Sequence, residues 1–151
     1  MTVSEINAVV SERHIEAPPE TVFAFLVDPH RMVRWIGTRA ELDPRPGGVF
    51  AVDVTGPARA RGEYVEVVPP LRIVFTFGWE GDPALPPGSS TVEITLTPDA
   101  TGTSLRLVHR GITTAEMREQ HSLGWNHYVG RLAVVGAGGD PGPDPNLAAP
   151  R

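Results

Sequence analysis

Two residue types are missing from this 151-residue chain, cysteine and lysine. Without cysteine there can be no disulfide, no thiolate nucleophile and no thiolate metal site. Without lysine there is no Schiff-base amine and no Walker-type phosphate lysine; all 13 basic residues are arginines. Long apolar runs are also scarce. Stretches such as residues 22–27 are far too short to cross a bilayer, so no membrane insertion is expected. No basic segment leads into an apolar one at the N-terminus, which makes a signal peptide unexpected and the cytoplasm the default location. The net charge of −5, with arginines scattered rather than striped, disfavours a nucleic-acid partner, which needs a basic face to displace counterions.

What is present suits one folded domain. A hydrophobic content of 40% and a charged content of 21% are ordinary for a globular chain. At this length about 70% of the unfolded surface can be buried, enough for a core without staples. Residues 8–15 read as a strand, ended by Pro18-Pro19. Residues 20–26 read as a short helix, and Asp28-Pro29 as the start of a second one running to about Trp35. The period then changes to two. Strands are expected over residues 39–43, 49–55, 58–68 (with a bulge at Gly62), 72–79, 91–97 and 104–110, separated by turns such as Pro46-Gly47-Gly48 and by the loop 81–89.

The last element is a helix capped by Thr113 or Thr114. Met117, His121, Gly124, Trp125, Tyr128, Leu132 and Val135 recur on it at spacings of three and four, so they share one face. Residues 140–151 carry four prolines and no period, and are expected to be a disordered tail after a single domain spanning residues 1–139. One long amphipathic helix must cover the apolar face of an antiparallel meander. The expected fold is α+β: a curved sheet of about seven strands wrapped around the C-terminal helix, with two short helices after the first strand.

Five stretches carry a family resemblance. The opening Val10-Ser-Glu-Arg-His-Ile-Glu-Ala-Pro-Pro-Glu-Thr-Val-Phe-Ala-Phe-Leu26 resembles that of START-like (SRPBCC) helix-grip proteins. Pro46-Gly-Gly-Val-Phe50, Gly62-Glu-Tyr-Val-Glu-Val-Val-Pro69, Arg72-Ile-Val-Phe-Thr-Phe-Gly-Trp79 and Ser122-Leu-Gly-Trp-Asn-His-Tyr-Val-Gly-Arg-Leu132 resemble the branch related to the C-terminal domain of the activator of Hsp90 ATPase. The resemblance runs over about residues 8 to 137. It implies a cavity between sheet and C-terminal helix for lipids, polyketides or other apolar molecules, in a family of binding proteins, aromatase/cyclases and co-chaperone domains. No separate chaperone-gripping domain precedes these motifs, so a chaperone role is not carried over.

The candidate ligand-binding residues are those expected on the inward faces: Trp35, Phe50, Tyr64, Phe75, Phe77, Trp79, His109, His121, Trp125 and Tyr128. Most of them have an ordinary alternative as core packing. Trp35 is equally suited to capping the pocket or stapling helix to sheet, and Gly124 to letting Trp125 pack closely. The Tyr128 hydroxyl, if buried, must find a partner. His109 and His121 are the candidate acid/base residues, since imidazole can donate or accept a proton near neutral pH. Arg34 and Arg61 are candidates to neutralise an anionic ligand at the mouth.

No metal and no cofactor are expected. No His-x-x-x-His pair, Gly-x-Ser-x-Gly elbow or dinucleotide fingerprint occurs. The leading reading is binding of a small apolar or aromatic molecule. The alternatives are a cyclase-, dehydratase- or hydrolase-like enzyme using a histidine in the same cavity, and a co-chaperone-like interaction module or homodimer pairing through a sheet edge.

Overall fold

Proline, glycine and aspartate set the breaks between elements. In the computed structural model, which describes residues 7–147, ten elements follow one another. They are β1 (Val9–Ile15), α1 (Pro19–Val27), α2 (Pro29–Met32), β2 (Arg39–Leu42), β3 (Val49–Asp53), β4 (Arg59–Val68), β5 (Arg72–Phe77), β6 (Ser90–Asp99), β7 (Gly102–Arg110) and α3 (Ala115–Gly136). Pro18 and Pro19 stand at the N-cap and first turn of α1, where a missing N–H costs nothing. The Asp28 carboxylate caps α2, accepting from the backbone N–H groups of His30 at 2.8 Å and Arg31 at 3.4 Å.

α2 is a single turn, shorter than the run to Trp35 expected from sequence. The chain has to turn back at Gly37 to reach the sheet. Gly37 adopts φ +81°, and a Cβ there would lie 2.5 Å from the Asp53 carbonyl oxygen, so this close crossing needs glycine.

All seven strands form one sheet in the order β1-β7-β6-β5-β4-β3-β2, each neighbouring pair antiparallel. From β2 to β7 the sheet is a meander. β1 closes onto β7, so α1 and α2 carry the chain from one sheet edge to the other. The bulge sits between Tyr64 and Glu66, not at Gly62. Gly62 instead permits a close approach. A Cβ there would be 1.9 Å from the Thr76 carbonyl oxygen, so its absence lets β4 coil tightly over β5.

Alternation puts Phe50, Val52, Ile73, Phe75, Val92, Ile94, Leu105 and Leu107 into the core. α3 supplies the opposing face. Thr114 Oγ1 caps it by accepting from the Met117 N–H at 3.1 Å, and Trp125, Tyr128, Val129, Leu132 and Val135 are its buried residues. Each such side chain contributes roughly 1.5–3 kcal/mol by leaving water, which is what holds helix to sheet. At its C-terminal end α3 lies close on β1, where a Cβ on Gly136 would meet Ile15 Cγ2 at 2.9 Å. Among the described residues no helix is long and apolar enough to cross a membrane.

Part of the tail expected to be disordered packs back on the domain. Asp144 is 6% exposed and sits against α3, because its carboxylate meets the side chains of Tyr128 and His127 there. Residues 148–151 of that tail lie outside the described residues.

Candidate functional site

Phe77, the last residue of β5, is the centre of an aromatic cluster. Its ring lies 5.1 Å from Trp79, 4.9 Å from His109 and 5.8 Å from Trp125, centroid to centroid. Trp79 lies beyond the end of β5, not within it, and bridges to Ala60. The long loop after it folds back and holds it in place. The Trp79 backbone N–H donates to the Leu85 carbonyl at 2.7 Å, Leu85 is buried, and Gly78 passes Pro86 so closely that a Cβ would sit 1.8 Å from its carbonyl oxygen.

His109 is completely buried within a closed chain of hydrogen bonds. Trp125 Nε1–H donates to His109 Nδ1 at 3.0 Å, so Nδ1 bears no hydrogen and the neutral ring carries its hydrogen on Nε2. Nε2–H then donates to Ser90 Oγ at 2.8 Å, and the Ser90 hydroxyl donates to the Phe77 carbonyl at 2.7 Å. Burial, with a smaller contribution from His121, lowers the pKa of His109 to about 3. Both ring nitrogens are committed, so His109 has no free position for proton transfer and serves to orient Trp125 beside Phe77.

His121 is placed differently. It is half-buried on α3, and its Nδ1 is 2.8 Å from the Met117 carbonyl oxygen, which can only accept. The hydrogen is therefore on Nδ1, and Nε2 turns its lone pair outward to receive Trp79 Nε1–H at 3.0 Å. This bond joins the loop after β5 to α3 across the rim of a cavity.

That cavity has an inner and an outer chamber, which share part of their lining. The inner chamber is about 20 Å³ and is lined by apolar side chains, among them Met32, Trp35, Phe50, Ile73, Phe75 and Trp125. The outer chamber is about 60 Å³ and is lined by Ile36, Val54, Phe77, Trp79, His121, Gly124, Trp125 and Tyr128. Ile36, Val54, Phe77 and Trp125 border both. With about 15 Å³ needed per water-sized body, the outer chamber has room for about four such bodies and the inner for about one. Among the described residues no arginine, aspartate or glutamate lines either chamber.

The other candidates divide by what their polar atoms do. Trp35 Nε1–H donates to the Phe25 carbonyl at 3.0 Å, and the Tyr64 hydroxyl donates to the Leu26 carbonyl at 3.2 Å. These are carbonyls of the last turn of α1, which have no partner within the helix. Tyr64 thus ties α1 to β4 and Trp35 ties it to the segment after α2, and burial and then Asp43 push the Tyr64 phenol above its ordinary pKa. Phe50 stacks on Phe75 at 3.9 Å as core.

Tyr128 presents its ring to the outer cavity, but its hydroxyl is engaged by Asp144 at 2.7 Å and is not free for a ligand. Arg61 does not approach the mouth. It pairs with Asp53 at 2.9 Å and Glu80 at 3.2 Å, while Arg34 lies exposed over the Phe25 ring. Gly124 is not a site of close approach either, since nothing lies within 4 Å of where its Cβ would be.

Ile36, Ser90 and Asp144 are the participants that sequence reasoning missed. Nothing in the local pattern marks Ser90, and Asp144 stands in a proline-rich stretch that reads as tail. Among the described residues no group of three His, Asp or Glu side chains gathers as metal ligands would.

Residues 16–136 match the family described as activator of Hsp90 ATPase homolog 1-like protein. An AHSA1-like protein of Rhizobium etli, solved by solution NMR, is 51% identical and superposes with a TM-score of 0.75, over 95% of this chain and 89% of its own. CalU16 from Micromonospora echinospora is 31% identical, with a TM-score of 0.72 over 90% of this chain and 77% of its own. DynU16, a protein in the dynemicin biosynthetic locus, is 26% identical, with a TM-score of 0.75 over 84% of this chain and 46% of its own. The comparison with curated protein sequences finds no match.

Proposed function

Because this chain belongs to the family of activator of Hsp90 ATPase homolog 1-like proteins, a helix-grip fold suited to holding ligands, we propose that it binds a small apolar or aromatic molecule between the sheet and α3. The observation that carries the reading is Gly124. A glycine inside a helix costs about 1 kcal/mol relative to alanine, and it is normally retained where a neighbour comes too close for a side chain. Here no neighbour does so. The space over Gly124 is the outer cavity itself, so the glycine keeps room for a guest at the expense of helix stability.

Apolar burial alone does not give useful affinity. A ligand covering about 200 Å² gains about 5 kcal/mol gross, whereas micromolar binding needs about 8 kcal/mol net of association costs. Polar contacts at the rim are required, and Trp79 and His121, whose ring nitrogens bond each other there, are lining residues that can supply them.

The test is native mass spectrometry of freshly purified protein, with extraction of whatever stays bound, on the natural chain and on Gly124→Leu. The expected result is a defined small molecule on the natural chain that is missing from the equally folded variant. If the natural chain is empty and also ignores a panel of apolar and aromatic compounds, the proposal fails.

A further inference from the structure

We infer that the rim selects a hydroxyl on an aromatic ring, a phenol or an enol of similar shape, seated between Trp79 Nε1 and His121 Nε2. The inference rests on the cavity reading above and specifies the chemical class of its ligand. The starting point is the bond between those two groups. His121 donates through Nδ1 to the Met117 carbonyl at 2.8 Å, which fixes Nε2 as an acceptor. Trp79 Nε1–H can only donate, and it does so to that Nε2 at 3.0 Å. With no guest, one donor and one acceptor on two different elements satisfy each other across the rim.

A guest that parts them must satisfy both. An ether, ketone or carboxylate oxygen can accept from Trp79 but leaves the His121 lone pair bare, and an ammonium can only donate. A hydroxyl accepts through its oxygen from Trp79 and donates its hydrogen to His121, so a single atom replaces the lost bond with two. The carboxylate is disfavoured again because no arginine lines the cavity to neutralise it, whereas a phenol stays neutral below its pKa of about 10.

The walls argue for an aryl rather than an alkyl body. Phe77, Trp79, Trp125 and Tyr128 surround the outer cavity, with Phe77 edge-on to Trp79 at 82°. Flat aromatic guests pair well with such edges and faces. Ile36, Val54, Phe77 and Trp125 border both chambers, so the apolar walls continue inward from the rim.

The three tryptophans, Trp35, Trp79 and Trp125, all line the cavity, so their indole N–H resonances in ¹⁵N-labelled protein report occupancy directly. The probes are p-cresol, 4-methylanisole and p-xylene: one ring bearing a hydroxyl, its methyl ether and a methyl of similar size. The expected result is that p-cresol binds about tenfold more tightly than either of the others, because they strand Trp79 N–H or the His121 lone pair. The Trp79 indole resonance, assigned with Trp79→Phe, should move the most.

In His121→Leu, with Trp35 and Trp125 resonances still dispersed to certify folding, the ratio of p-cresol to 4-methylanisole affinity should fall to about one, because both oxygens can still accept from Trp79 and neither finds the His121 lone pair. Equal binding of all three probes by the natural chain overturns the inference and leaves the cavity reading standing, as does a preference for p-cresol over 4-methylanisole that survives in His121→Leu. If no probe moves any indole resonance, the cavity reading fails and the inference fails with it.

Discussion

The Tyr128 hydroxyl donates to Asp144 Oδ2 at 2.7 Å, which ties the segment after α3 to a residue whose ring walls the outer cavity. Asp144 also accepts from His127 Nε2 at 3.1 Å and from the Asn146 backbone N–H at 3.0 Å. Burial raises the pKa of this carboxyl, but the bonds from Asn146, Tyr128 and His127 outweigh it and hold the value below the ordinary range. The same buried contact pushes the Tyr128 phenol up to about 12, burial being the larger cause.

Asp144→Ala should therefore destabilise the fold by about 1–3 kcal/mol, since it leaves the Tyr128 hydroxyl without its acceptor. Denaturant melts of Asp144→Ala, Tyr128→Phe and the double variant check this through the coupling between the two sites. Additive losses would mean the tail contact contributes nothing. The folded carboxyl is the stronger acid, so its contribution is complete above the ordinary carboxylate value of about 4 and is lost as pH falls through the folded value.

His109 gives stability a second pH dependence. Its folded pKa of about 3 lies below the ordinary value of 6.5, so the unfolded chain binds a proton that the native ring refuses. Above about pH 6.5 the group has no effect. Below it, stability should fall by about 1.4 kcal/mol per pH unit until the native ring titrates near 3. Denaturation midpoints measured from pH 7.5 to 4.5 should show this slope, and His109→Gln, which keeps a donor and an acceptor, should flatten it. A natural chain whose stability does not change over that range would show that Trp125 and Ser90 do not hold the ring neutral.

Alternation and helical spacing carried the fold. The period-two runs ending in Phe77 and the three-and-four spacing of Trp125, Tyr128 and Leu132 each have one way to bury their apolar face, and the structure uses it. The site was less legible, because its polar partners are far apart in sequence. Pairing of β6 with β7 sets His109 opposite Val92 and diagonal to Ser90, and His121 meets Trp79 only when α3 crosses the sheet. Strand alternation places His109 inward and helical spacing places His121 inward, but neither can tell a ring with both nitrogens bound from one facing a cavity. Asp144 was invisible for the same reason, since a proline-rich stretch looks like tail until its carboxylate meets Tyr128.

Trp35 and Tyr64 look like ligand residues by type, yet both satisfy carbonyls at the end of α1. Tyr64→Phe keeps the ring and removes only the hydroxyl's bond, so it should cost about 1 kcal/mol in unfolding free energy, whereas Trp35→Phe also removes half of a buried indole and should cost more. Tyr64 lines neither chamber, so Tyr64→Phe should not alter the relative affinities of a ligand series. A change in ligand preference in Tyr64→Phe would return that hydroxyl to the binding site.

Gly124 gives the opposite kind of outcome, a substitution expected to stabilise. Its backbone is helical, it has no positive φ, and open space surrounds its missing side chain. Gly124→Ala should raise stability by about 0.5–1 kcal/mol through reduced freedom of the unfolded chain and better helix propensity, or about 1–4 °C in Tm at this size. The methyl group intrudes on the outer cavity, so the same variant should bind p-cresol more weakly than the natural chain. Calorimetry and the indole titration, run side by side, separate the two effects. Higher Tm with weaker binding is expected of a glycine retained to keep space for a ligand. Lower Tm would show a packing role that the open surroundings do not reveal, and higher Tm with unchanged binding would place the guest elsewhere.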